Sequence, residues 1–213
     1  MESEMAEPRR RTQAERSAGT RQLLLDAAVR CLHAHGYSAT TTMLVAEDAG
    51  VSRGAMLHQF RTKADLMTFV VEAVFEQEVA AYGELLGGIT DPAERLLAYP
   101  EAVWTVLSRP SGVAVLEILQ GSRSDATLRD MLEPVQARIE QQALAFTRLA
   151  QGDGRREGAI ALMRLVVWAM RGLSIADVLD PQHNMHGSVK LLKLLLRAGL
   201  ETGVLTATIE KEG

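Results

Sequence analysis

Residues 40–63 read TTTMLVAEDAGVSRGAMLHQFRTK, and this stretch decides the fold. Leu44, Val45, Ala46 and Ala49 supply small apolar positions at helical spacing. Thr41 precedes them, where a hydroxyl can accept from an orphan N–H of the first turn. Gly50 follows the last periodic residue, where a left-handed backbone is needed and glycine adopts it without a Cβ clash. Val51 would plug the turn, and Ser52 stands where the next N-cap should be. A second short helix then spans residues 53–60. Thr62-Lys63-Ala64-Asp65 is a capping box that opens a third, long apolar-periodic run. Two short helices about a tight turn make a helix-turn-helix, the module whose second helix lies in the major groove of DNA.

The second helix is mostly small or polar, with only Met56, Leu57 and Phe60 large and apolar. Gly54 lowers helix propensity by about 1 kcal/mol relative to alanine. A purely structural helix gains nothing from that, whereas one that brings its backbone close to a phosphate or base does. Lys63 sits in a first turn, where the helix dipole disfavours a cation and a phosphate nearby would offset the cost. Thr41, Thr42, Ser52 and Lys63 are therefore candidate phosphate ligands. Arg53 can address guanine, Ala55 a thymine methyl and Gln59 adenine, with Gly54 allowing close approach and His58 open to either role. Met56 and Leu57 read as packing residues.

These residues carry a resemblance. Residues 20–66 resemble the DNA-binding domain of the tetracycline-repressor (TetR) family, through Ala27-Ala28, Gly36-Tyr37, Thr41, Ala49-Gly50-Val51-Ser52, Arg53-Gly54, Phe60 and Lys63. The family usually carries Tyr where this chain has Leu57, which has no hydroxyl to offer a phosphate, and often His where it has Gln59. The resemblance implies a repressor that binds a palindromic DNA operator as a homodimer and is released by a small molecule. It implies a pocket among the fourth to eighth helices, with Trp104, Glu117, Phe146, Trp168 and Arg171 as candidate lining residues. It implies no cofactor and no metal.

The remaining chain fits that plan. Of 213 residues, 47% are hydrophobic and only 4% aromatic, and strand-like alternation is nearly absent, so the fold class is all-α with about nine helices. Three segments follow: a disordered basic tail over 1–19, the helix-turn-helix domain over 20–66, and a helical ligand-binding and dimerisation domain over 67–213. Asp91-Pro92-Ala93-Glu94 starts a fifth helix, and Pro134 predicts a kink in the seventh. In the last two long helices, apolar residues wrap most of the circumference: Leu165 to Met170 in one, Leu191 to Leu196 in the other. Such helices are buried on all sides, either in a large monomer core or in a four-helix bundle shared by two subunits.

The net charge of −4 is unusual for a DNA binder, but it is unevenly spread. Residues 1–63 hold nine Lys/Arg and seven Asp/Glu, against 14 and 20 in the remainder. Arg9-Arg10-Arg11 could be an arm reaching DNA or a solvated tail. No apolar run is long enough to span a membrane, the N-terminus lacks a signal-peptide core, and the single Cys31 cannot form an internal disulfide. These features place the chain in the cytoplasm, with Cys31 a buried structural thiol. Two alternatives stand beside the regulator. One is a helical adaptor with a vestigial helix-turn-helix. The other is a helical enzyme using His183 and His186 with Asp180 as metal ligands, although Pro181 interrupts that loop and no second cluster accompanies it.

Overall fold

The structure, a computed structural model, describes residues 13–146 and 153–205; the side chains of residues 140, 142–146, 153–157 and 159 are outside the described set. Arg9, Arg10 and Arg11 also lie outside it, as does the Phe146 side chain. Among the described residues the chain forms nine helices and no strand: α1 Gln13–Ala39, α2 Thr42–Asp48, α3 Arg53–Gln59, α4 Lys63–Leu86, α5 Pro92–Leu107, α6 Pro110–Gly121, α7 Ala126–Phe146, α8 Asp153–Leu179 and α9 His186–Glu201. Helix α1 begins before Thr20, so the end of the expected tail is helical. Gln13, Ala14, Glu15 and Arg16 are good helix formers, and no breaker separates them from the apolar run.

Local chemistry sets the head. Gly36 turns the end of α1 with φ 72 and ψ 174, and Gly50 turns between α2 and α3 with φ 63. The Leu44 N–H donates to Thr41 Oγ1 at 3.1 Å and the Ala55 N–H to Ser52 Oγ at 3.2 Å, so both short helices are capped as their sequences predict. At the start of α4 both halves of the capping box form: Asp65 N–H to Thr62 Oγ1 at 3.0 Å, and Thr62 N–H to Asp65 Oδ2 at 2.9 Å. Replacing Thr62 with alanine removes one half of that reciprocal pair. The expected loss is about 0.5–2 kcal/mol of stability, read as a lower midpoint in urea with an unchanged slope.

One buried core runs from the head into the body. Leu24, Leu32, Val45, Met56, Phe60 and Leu66 are continuous with Val70 and Val74 of α4, Ile118 of α6 and Leu132 of α7. The expected boundary between residues 66 and 67 is therefore not a break in packing, because α4 serves both units and α1 lies against α6. A second core joins α5 to α8 and α9 through Val103, Trp104, Leu107, Val166, Met170 and Leu196. Helices α5 and α6 meet at 83°. Gly112 makes that corner possible, since a Cβ there would collide with the Leu107 carbonyl.

The last two helices are not enclosed within one protomer. Leu165, Trp168 and Leu179 on α8 are 62%, 56% and 79% exposed, and Leu191, Leu194 and Leu195 on α9 are 58%, 61% and 61% exposed. A monomer core does not account for them. No single helix among the described residues is long and apolar enough to cross a membrane.

Candidate functional site

Three parts lie in sequence along the molecule: an exposed helix edge, a tyrosine-centred junction and a cavity. The edge belongs to α3. Arg53, Gly54, Leu57 and His58 are exposed along it, while Met56 is buried and Ala55 and Gln59 are half-buried. A Cβ added to Gly54 would meet nothing, so no packing requirement explains this glycine. The caps Thr41 and Ser52 are exposed beside the edge, and Thr42 opens α2 half-buried. Chemically, the edge offers a guanidinium, bare backbone, an isobutyl group and an imidazole.

Two sequence expectations change here. Leu57 does not pack inward; it is 46% exposed and stands one turn beyond Arg53 on the same edge. Gln59 turns the other way, its Nε2 donating to Ser17 Oγ at 2.9 Å, which ties α3 to the start of α1. That bond draws the Gln59 amide away from the open face. The preference for Gln59 over Leu57 as a base reader followed from side-chain chemistry alone, whereas in the structure Leu57 is the one exposed on the edge and Gln59 is bonded to Ser17.

The junction is built around Tyr37. Its N–H donates to Glu117 Oε2 at 3.0 Å, its hydroxyl donates to Asp125 Oδ2 at 2.8 Å, and its carbonyl accepts from Lys63 Nζ at 2.6 Å. The Lys63 ammonium also lies 3.9 Å from the centroid of the Tyr37 ring. The ring also fills the space beside Gly121, where a Cβ would overlap it. Burial and the Asp125 bond push the Tyr37 phenol up to about 12, so it stays a donor throughout the neutral range. Burial draws Lys63 below its ordinary value, opposed by the Asp125 charge. The bond donated by the Leu128 N–H, then that of Tyr37, hold Asp125 below the usual carboxylate range. Lys63 is thus anchored to the Tyr37 carbonyl, with other ammonium hydrogens still able to face outward. Glu117 holds the α1–α6 junction and does not line the cavity.

The cavity, of about 590 Å³, opens between α4, α6, α7 and α8. Trp168 and Arg171 line it as the sequence suggested, joined by Arg123, Arg164, Gln120 and Gln136, which sequence reasoning missed. Trp104 is elsewhere, buried in the second core with its ring 5.9 Å from that of His186. Cys31 is buried and free, and burial pushes its thiol up. The His183 Nδ1 pairs with Asp180 Oδ2 at 2.6 Å on an exposed loop, and no third ligand converges on them among the described residues.

Comparison with known proteins agrees with this layout. The family profile of bacterial regulatory proteins, tetR family, matches residues 24–68, from the middle of α1 into α4. The HTH-type transcriptional regulator CymR of Pseudomonas putida is 44% identical over 70 residues, covering 33% of this chain and 34% of CymR. The HTH-type transcriptional repressor AcnR of Corynebacterium diphtheriae is 31% identical over 112 residues, covering 52% of this chain and 54% of AcnR. The matched stretches thus span about a third and about half of those relatives. The crystal structure of a TetR family transcription regulator from Marinobacter aquaeolei VT8 superposes with a TM-score of 0.66 at 21% identity, covering 86% of this chain and 96% of that one. Fold, head and relatives agree: residues 24–68 form a DNA-binding head of the TetR type, and the relatives that share it are transcriptional regulators.

Proposed function

We propose that this regulator is a cytoplasmic repressor that binds a two-fold DNA operator as a homodimer and leaves it when a small molecule occupies the cavity. The observation that carries the reading is the exposed edge of α3, with Gly54 facing open space between the caps and His58. In a dimer formed through the bare stripes of α8 and α9, two such edges would enter successive major grooves about 34–36 Å apart. Arg53 would read guanine, and Leu57 would meet a thymine methyl where the family it resembles usually carries a tyrosine. Thr41, Thr42, Ser52 and Lys63 would hold the backbone, and Ala55 and His58 would border the contact. Repression follows the relatives' mode, as AcnR is a repressor. Release would be a population shift, with the ligand favouring a spacing of the heads that the operator does not.

Selection of random duplex DNA on the purified protein tests this. A palindromic consensus is expected, with affinity falling steeply as salt rises. Arg53→Ala should cost about 1–3 kcal/mol and relax the consensus at one position per half-site. Gly54→Ala should leave folding intact or raise stability by up to about 1 kcal/mol, yet weaken operator binding, because the new methyl projects only into the groove. Absence of enrichment at low salt would favour the adaptor reading.

A further inference from the structure

We propose that the cavity takes an amphipathic organic anion, an apolar body carrying a carboxylate. This deepens the reading of the cavity as the effector site and rests on it for the regulatory consequence. Among the described residues, three arginines line the cavity and no aspartate or glutamate does. Much of the rest of the wall is apolar, from Val71, Val115, Leu119 and Met163. About 590 Å³ is ample for a small organic molecule.

Arg171 is the main element. It is only 9% exposed, yet its guanidinium reaches the cavity wall, 5.9 Å from the Trp168 ring centroid. Among the described residues the guanidinium makes one hydrogen bond, a long one from Nη1 to the Gly112 carbonyl at 3.5 Å. A guanidinium has five N–H donors, and a buried cation without a partner is costly. Glu78 of α4 is near enough to feel the Arg171 charge but forms no ion pair with it. Burial pushes the Glu78 carboxyl up against the lowering pull of the Arg171 and Arg109 charges, and its Oε1 has no hydrogen-bond partner, so it takes up none of the Arg171 donors through that oxygen. A carboxylate arriving from the cavity would accept the donors that Arg171 holds idle. Arg123 stands at the exposed rim without a side-chain partner among the described residues, placed to draw an anion inward. The Trp168 ring beside Arg171 offers a flat apolar face to the body of the same molecule. A cationic ligand would meet like charge at Arg171 and at the Arg123 rim.

Three probes of one shape isolate the charge: naphthoate, naphthalenemethanol and naphthylmethylammonium, titrated calorimetrically into the full-length protein. Naphthoate should bind, the alcohol at least about tenfold more weakly, and the ammonium not measurably. Arg171→Gln should lower naphthoate affinity by about ten- to a hundredfold and leave the alcohol unchanged. Arg123→Gln, at the exposed rim where folding is not at stake, should lower it several-fold. The preference for naphthoate should survive in Arg171→Lys, which keeps the charge. Equal or tighter binding of the ammonium, binding of none of the three, or an anion preference intact in both glutamine variants would each overturn the proposal. Operator release, followed by fluorescence anisotropy in the same samples, judges the effector reading separately. Naphthoate that binds without releasing DNA upholds the anion site and sinks the effector reading. An ammonium that releases DNA does the reverse.

Discussion

Replacing Leu194 and Leu195 together with arginine is expected to convert the proposed dimer into monomers and to lower operator affinity by about 10²- to 10⁴-fold. The two side chains are each 61% exposed in the protomer, so the substitutions bury no charge inside it and leave no cavity. In the proposed bundle they would meet a second copy of the α8–α9 face, carrying Leu165, Leu179 and Leu191. Four arginines across a two-fold axis would each be desolvated without a partner, which a self-complementary interface cannot absorb. The effect on DNA follows from linkage. Two tethered heads turn the second half-site contact into an intramolecular event, and that advantage disappears when the heads separate. Sedimentation velocity should show the mass halved, circular dichroism should show the helices retained, and anisotropy should show the residual affinity of a single head. An undiminished dimer would place the interface elsewhere and remove the explanation for the exposed leucines.

What could be read in the sequence and what could not divides along a physical line. Thr41, Ser52, Thr62 and Asp65 were legible because each acts on a backbone group three residues away, and Gly50 because its position after the last periodic residue already demands a positive φ. The head therefore follows from local chemistry, and the all-α class from periodicity. Gln59 was not legible, because its partner is Ser17, 42 residues earlier, and only the packing of α3 on α1 decides which way its amide points. Glu117 failed for the same reason, since its bond to Tyr37 spans 80 residues. Composition marked both as polar groups fit for ligands, and tertiary contact claimed them for structure. The cavity arginines are the converse. Arg123 and Arg164 look like ordinary solvated charges on helix faces, and only the closing of α6, α7 and α8 around one space gathers them. The apolar excess of α8 and α9 was legible, but its meaning required knowing that α5 covers only one side of each.

Gly121→Val is expected to disconnect the head from the cavity while costing about 2–4 kcal/mol of stability. The ring of Tyr37 occupies the space that a Cβ at position 121 would need, and the nearest ring atoms are those closest to its own backbone. The ring cannot simply swing aside, because its hydroxyl is held by Asp125 and the Lys63 ammonium lies 3.9 Å from its centroid. Forcing it out combines overpacking, about 1–3 kcal/mol, with loss of a hydrogen bond worth about 1 kcal/mol. For a chain of this size that corresponds to a fall in melting temperature of roughly 4–16 °C. The functional consequence comes from where these residues sit. Leu116, Leu119, Gln120 and Arg123 line the cavity on the same helical segment and turn that presents Glu117, Gly121 and Asp125 to Tyr37. In the proposed release, a shift of α6 on ligand binding would press directly on Tyr37, whose carbonyl holds Lys63 at the start of α4. With the contact sprung, the heads should still bind operator, because α2, α3 and their caps are untouched. Ligand binding should persist too, yet the ligand should no longer lower operator affinity. Tyr37→Phe serves as the milder companion, removing only the Asp125 bond, so its coupling should fall between wild type and Gly121→Val. The decisive comparison is operator affinity with and without bound ligand in all three proteins. A Gly121→Val protein that still releases DNA fully would mean that coupling passes through α4 alone, with Tyr37 a passive strut between α1 and α6.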